Sequence, residues 1–85
     1  LVYQLIHDVD LAILGDRDNY GTYAMQIRRE YSQYDTKSYA RKRCEVLRQL
    51  LDTDYLYLTE FFRKAFQENA ELNIKTELAY WEERM

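Results

Sequence analysis

Apolar residues recur at helical spacing from the first turn of the chain. Val2, Leu5, Ile6, Val9, Ala12 and Ile13 predict a helix from the N-terminus to about Leu14, with Gly15 as its C-cap. No capping residue precedes this pattern and residue 1 is leucine, so the expectation is a fragment that enters a helix already under way. A second helix is expected from about Asp18, as N-cap, to about Tyr34. Its stripe of Tyr20, Tyr23, Ala24, Ile27, Tyr31 and Tyr34 is made almost entirely of rings. A third helix starts at Asp35 or Thr36 and turns Tyr39, Ala40, Cys44, Val46, Leu47, Leu50 and Leu51 inward. An irregular stretch from Asp52 to Leu58 then leads to Thr59, the expected N-cap of a long last helix reaching nearly to Trp81.

The last helix carries apolar residues on two sides. One stripe holds Phe61, Phe62, Ala65, Phe66, Leu72 and Tyr80, with Asn69 and Asn73 among them; Ile74, Leu78 and Trp81 project from another. A helix patterned this way is expected to be sandwiched, or to touch a partner through the surface around Ile74, Leu78 and Trp81. The fold class that follows is all-α, with about four helices forming an incomplete bundle over residues 1–85 as one segment.

Composition fits that reading. The chain has 85 residues, no proline and only two glycines, and a chain this short holds one domain at most. Nine tyrosines supply much of the apolar content, each filling space while keeping a polar tip. The formal net charge of −3 argues against a general nucleic-acid binder, although Lys37, Arg41, Lys42, Arg43 and Arg48 form a basic cluster. That cluster reads as a solvated helix face. No apolar run is long enough to span a membrane. Cys44 is alone among apolar helix positions, so a packed, inert thiol in a reducing, cytoplasmic setting is expected.

The candidate chemistry sits at the start, in His7-Asp8-Val9-Asp10-Leu11-Ala12-Ile13-Leu14-Gly15. Two carboxylates on an apolar segment suggest a buried acidic site, and a divalent ion is one of the few partners that suffice for buried acid. His7 and Asp10 lie three apart on a helix and share a face, and imidazole with carboxylate suits Mn, Fe, Zn or Ni. Two ligands do not complete such a site, and the chain has no second histidine. The alternative is that Asp8 and Asp10 cap or salt-bridge neighbouring elements, with Arg28, Arg29 or Arg43 as partners.

The segment Asp8 to Gly15, then Tyr20, Tyr23 and Ile27-Arg28-Arg29-Glu30-Tyr31, resembles the C-terminal half of HD-superfamily proteins. The similarity is to the branch of predicted metal-dependent phosphohydrolases with a D-x-D-L-x-I-L-G segment followed by a Y-x-x-Y-x-x-x-I-R-x-E-Y helix. Arg43, Val46 and Leu47 resemble that branch's R-x-x-V-L stretch, and Thr59, Phe62, Glu68, Ala70, Asn73, Glu77 and Leu78 its closing helix. The resemblance implies an HD-like helical bundle. It also implies a divalent metal (Mn, Fe, Mg, Zn or Ni) held by a histidine, a His-Asp pair and a later aspartate, which here is Asp10. Asp8 and His7 would then stand behind the metal ligand. The metal would activate water for attack on a phosphoester or nucleotide. Arg28 and Arg43 are the candidates to steady phosphate oxygens, against a structural ion pair for each. The family's upstream histidine and His-Asp pair are not in this sequence, and Glu71 stands where relatives have arginine. No catalytic residue is therefore assigned.

Two functions follow as expectations. In one, the chain is the C-terminal portion of an HD-type phosphohydrolase, inactive alone, whose partner is an N-terminal HD-bearing segment. In the other, it is a non-catalytic helical module that pairs with a second copy or another protein.

Overall fold

The computed structural model describes residues 2–85. Among them the protein is all-α, with four helices. Helix α1 spans Val2–Asp10 and passes through a 3-10 turn, Ala12–Gly15. Helix α2 is Tyr20–Glu30 and α3 is Thr36–Leu51. Helix α4 covers residues 60–82 in three runs: α-helical Glu60–Phe62, a π-helical turn Arg63–Gln67, and α-helical Glu68–Glu82.

Helix α1 stops four residues before the expected end, and Gly15 is not its cap. Its φ is not positive, so no left-handed conformation asks for glycine there. Close approach does. A Cβ on Gly15 would meet Phe66 Cβ at 2.7 Å and the Phe66 carbonyl oxygen at 2.9 Å, which locks the 3-10 turn against the π-helical part of α4. Asn73 secures the same junction by donating from Nδ2 to the Leu14 carbonyl at 2.9 Å.

The turn before α2 is organised by Asp16, not Asp18. The Asp16 carboxylate accepts from the backbone N–H groups of Asp18 and Asn19 and from the Asn19 amide, at 2.9 to 3.1 Å. These bonds, that from the Asn19 side chain foremost, hold its carboxyl below the usual range. Helix α2 also ends early, at Glu30, because Arg28 donates to the carbonyls of Tyr31 and Tyr34 and folds the chain into a turn. Helix α3 begins as its sequence predicts: Asp35 Oδ1 accepts the Ser38 N–H at 2.7 Å.

The core lies between α3 and the second half of α4. Tyr39, Ala40, Cys44 and Leu47 from α3 meet Ala70, Ile74 and Trp81 from α4, with Leu14, Tyr20, Leu56 and Tyr57 closing the ends. Val46, expected inside, is exposed because on the helical wheel it falls just beyond the edge of the arc buried by Tyr39, Ala40, Arg43, Cys44 and Leu47. The two-sided pattern of α4 resolves in the same way. Ile74 and Trp81 are the buried face and Leu78 is half-buried, whereas Phe61, Leu72 and Tyr80 look outward. The Ile74–Leu78–Trp81 stripe therefore packs mainly into the core, where Tyr39 stacks edge-on against Trp81 at 5.0 Å.

Candidate functional site

Helix α1 delivers the residues of the acidic segment to three different surroundings. Asp8 is enclosed, with 0% of its surface exposed. Its Oδ1 accepts the Leu58 N–H at 2.7 Å, while Oδ2 accepts the Thr59 N–H at 2.8 Å and the Thr59 hydroxyl at 2.6 Å. Thr59 Oγ1 in turn accepts from the Phe62 N–H at 3.3 Å, so Asp8 and Thr59 together cap the start of α4. Burial pushes the carboxyl up. The hydrogen bonds to its charged form, led by the Thr59 hydroxyl, outweigh that and hold it below the ordinary carboxylate range.

His7, half-buried, lies beside the same loop, with Nε2 3.2 Å from the Leu56 carbonyl. A carbonyl only accepts, so Nε2 carries the proton in this contact. Asp10 is exposed at the last residue of α1. Among the described residues no three His, Cys, Asp or Glu side chains are grouped to hold a metal ion. Asp8 and His7 are engaged by residues 56–59. Asp10 alone of the three is exposed and, among the described residues, free, and the residues present do not make up a metal-binding set, so no chemical step through a metal is derived from them.

The two arginines also have defined partners. Arg28 holds the end of α2 and lays its guanidinium 4.6 Å from the centre of the Tyr39 ring. Arg43 makes a bidentate pair with Glu77, Nε to Oε2 at 2.7 Å and Nη2 to Oε1 at 2.9 Å. The same carboxylate accepts the Tyr20 hydroxyl at 2.5 Å and the Trp81 indole N–H at 2.9 Å. Burial pushes Glu77 up, but Arg43 first and Tyr20 next bring it below its ordinary value. Four donors on two oxygens make Glu77 an internal anchor tying α2, α3 and α4 together.

Sequence reasoning did not find this anchor, although its signal was present. Arg43 stands on the stripe Tyr39-Ala40-Cys44-Leu47, and Glu77 on Ala70-Ile74-Trp81. Opposite charges set into two facing apolar stripes announce a buried pair. Tyr57 was missed as well, because it lies in an irregular segment. Its side chain is fully buried, its hydroxyl donates to the Leu11 carbonyl at 2.9 Å, and burial pushes its pKa up to about 12.

Two clefts flank α2. One of about 730 Å³ opens toward α3 between Ile27, Tyr31, Tyr34 and Val46. The other, of about 810 Å³, opens toward α4. Tyr39 lines the first, and its hydroxyl is the one buried side-chain polar atom among the described residues without a hydrogen-bond partner.

The outward side of α1 completes the picture. Val2, Ile6 and Val9 are 71%, 57% and 61% exposed, while the buried residue of the helix is the charged Asp8. The helix turns His7 and Asp8 toward its own protein and its large apolar residues away. Asp10 lies one turn beyond Ile6, on the edge of that outward face. No protein family, curated protein or solved structure matches this chain at a significant level.

Proposed function

We propose that this chain is the C-terminal portion of an HD-type metal-dependent phosphohydrolase, contributing Asp10 and a helical wall to a site completed by other helices docked on α1. The observation that carries the reading is the inverted amphipathicity of α1. An apolar stripe of Val2, Leu5, Ile6 and Val9 facing solvent is stable as a surface only when something covers it. Asp10 stands beside that stripe, where a covering segment brings its own side chains. The electrostatics agree. Asp10 adds a carboxylate to the negative C-terminal end of a helix, a costly arrangement unless a cation answers it.

The test is Asp10→Asn in the phosphohydrolase that contains this chain, with metal content and phosphoester hydrolysis measured together. Because Asp10 is exposed, the expected result is loss of metal and activity with an unchanged circular dichroism spectrum. Full metal content in the variant contradicts the proposal.

A second reading is a non-catalytic helical module that associates through the same α1 face, which two copies bury against each other. It predicts a metal-free oligomer by sedimentation that Ile6→Glu converts to monomer. A wild-type chain that sediments as a monomer at every concentration removes this reading.

A further inference from the structure

The cleft between α2 and α4 goes beyond the reading above and stands on different residues. Its apolar lining is Ala24, Met25, Leu72, Tyr80 and Trp81, and Met25, Leu72 and Tyr80 are 58%, 62% and 49% exposed. Three large side chains are thus left half-open along one trough. The charged residues lining it are Arg17, Arg28, Arg29 and Glu77. Glu77 is saturated by Arg43, Tyr20 and Trp81, and Arg28 is bound to the carbonyls of Tyr31 and Tyr34. Arg17 and Arg29 are exposed. No ion pair or side-chain hydrogen bond joins either to another described residue.

In a chain whose formal net charge is −3, this trough presents positive charge alone to an incoming partner. Its opposite walls are the helices α2 and α4, a geometry that receives a third helix with apolar side chains at positions i, i+3, i+4 and i+7. From this we infer that the α2–α4 trough docks an acidic amphipathic helix of a partner protein. Leu72, Met25 and Tyr80 take its apolar stripe, and Arg17 and Arg29 meet carboxylates along its flank. The length of α2 sets the span. Eleven residues at about 1.5 Å each match about three turns of a bound helix.

Trp81, the single tryptophan, lines the trough and reports occupancy. The probe is a synthetic amphipathic peptide of about four turns with leucines at helical spacing and glutamates on its flanks, beside a twin carrying lysines instead. Fluorescence anisotropy of the labelled peptides and Trp81 emission are followed together. The glutamate peptide is expected to bind about tenfold or more tighter than the lysine twin, with a shift in Trp81 emission and an advantage that shrinks as salt rises from about 0.05 M to about 0.5 M. The double variant Arg17→Glu/Arg29→Glu should reverse the preference. Leu72→Ser should weaken both peptides with the fold intact, since Leu72 is outside the core.

Equal binding of the two peptides overturns the proposal, as does no binding of either. A preference that survives the arginine reversal, or that vanishes instead in Ile6→Glu, places the peptide elsewhere and also overturns it.

Discussion

Two buried carboxylates hold the architecture, and each is served by a different chemistry. Asp8 accepts two backbone N–H groups and one hydroxyl. Asp8→Ala leaves the amides of Leu58 and Thr59 without an acceptor and is expected to cost about 2–4 kcal/mol, measurable by urea denaturation. Glu77 is charge-paired. Glu77→Gln strands the Arg43 guanidinium in the interior and is expected to cost about 3–5 kcal/mol. Replacing both, as Arg43→Met with Glu77→Gln, should cost less than Glu77→Gln alone, because no buried charge is then left alone and an amide oxygen remains to accept from Tyr20 or Trp81. A double variant less stable than either single one contradicts that account. Both carboxyls lie below their ordinary pKa values in the folded state, 3.8 for Asp8 and 4.5 for Glu77. Each therefore contributes stability that is complete above the unfolded carboxylate range and fades as pH falls below it. Midpoints of denaturation should be flat from pH 7 to about pH 5 and fall steadily below about pH 4. Gly15→Ala belongs at this scale too. Its new methyl meets Phe66 at both side chain and backbone, and a loss of about 1–3 kcal/mol is expected.

Among the elements, α3 was the most legible in sequence and α1 the least. Asp35 and the helical spacing of Tyr39, Ala40, Cys44 and Leu47 specify where α3 starts and which face turns inward. In α4 the pattern was ambiguous, since rings and aliphatics occupy two faces. What chose between them was Glu77, whose bonds to Arg43 and Trp81 draw the Ile74 face into the core and leave Leu72 outside. Helix α1 showed its period but not its orientation, because amphipathicity does not say which side is covered. Its polar side is fastened to the loop 56–59 through Asp8 and His7, an arrangement invisible until Thr59 is known to lie beside it. In the isolated chain Ile6→Glu should accordingly leave stability within about 0.5 kcal/mol, whereas Leu47→Ala, in the core, should cost about 2–5 kcal/mol. Thermal denaturation of the two variants side by side checks the contrast.

As a whole the molecule is elongated, 40 × 22 × 21 Å, with its core at the α3–α4 junction and its apolar surplus on the surface. No helix among the described residues is long and apolar enough to cross a membrane. The all-α class followed from composition and period alone. Of the candidate site, capping was legible as an alternative for both aspartates, but not that Asp8 alone takes it and Asp10 stays exposed. Spacing carries no information on which carboxylate meets backbone N–H groups from a segment some fifty residues away.

Everything proposed for α1 requires its outward face to be a contact surface. Native mass spectrometry of the wild-type protein and of Ile6→Glu, purified side by side at neutral pH, tests it most directly. The wild type is expected as an assembly, with a companion polypeptide or a second copy, and the variant as a single folded chain of 10.4 kDa. A wild-type protein found only as the single chain, indistinguishable from the variant, contradicts it.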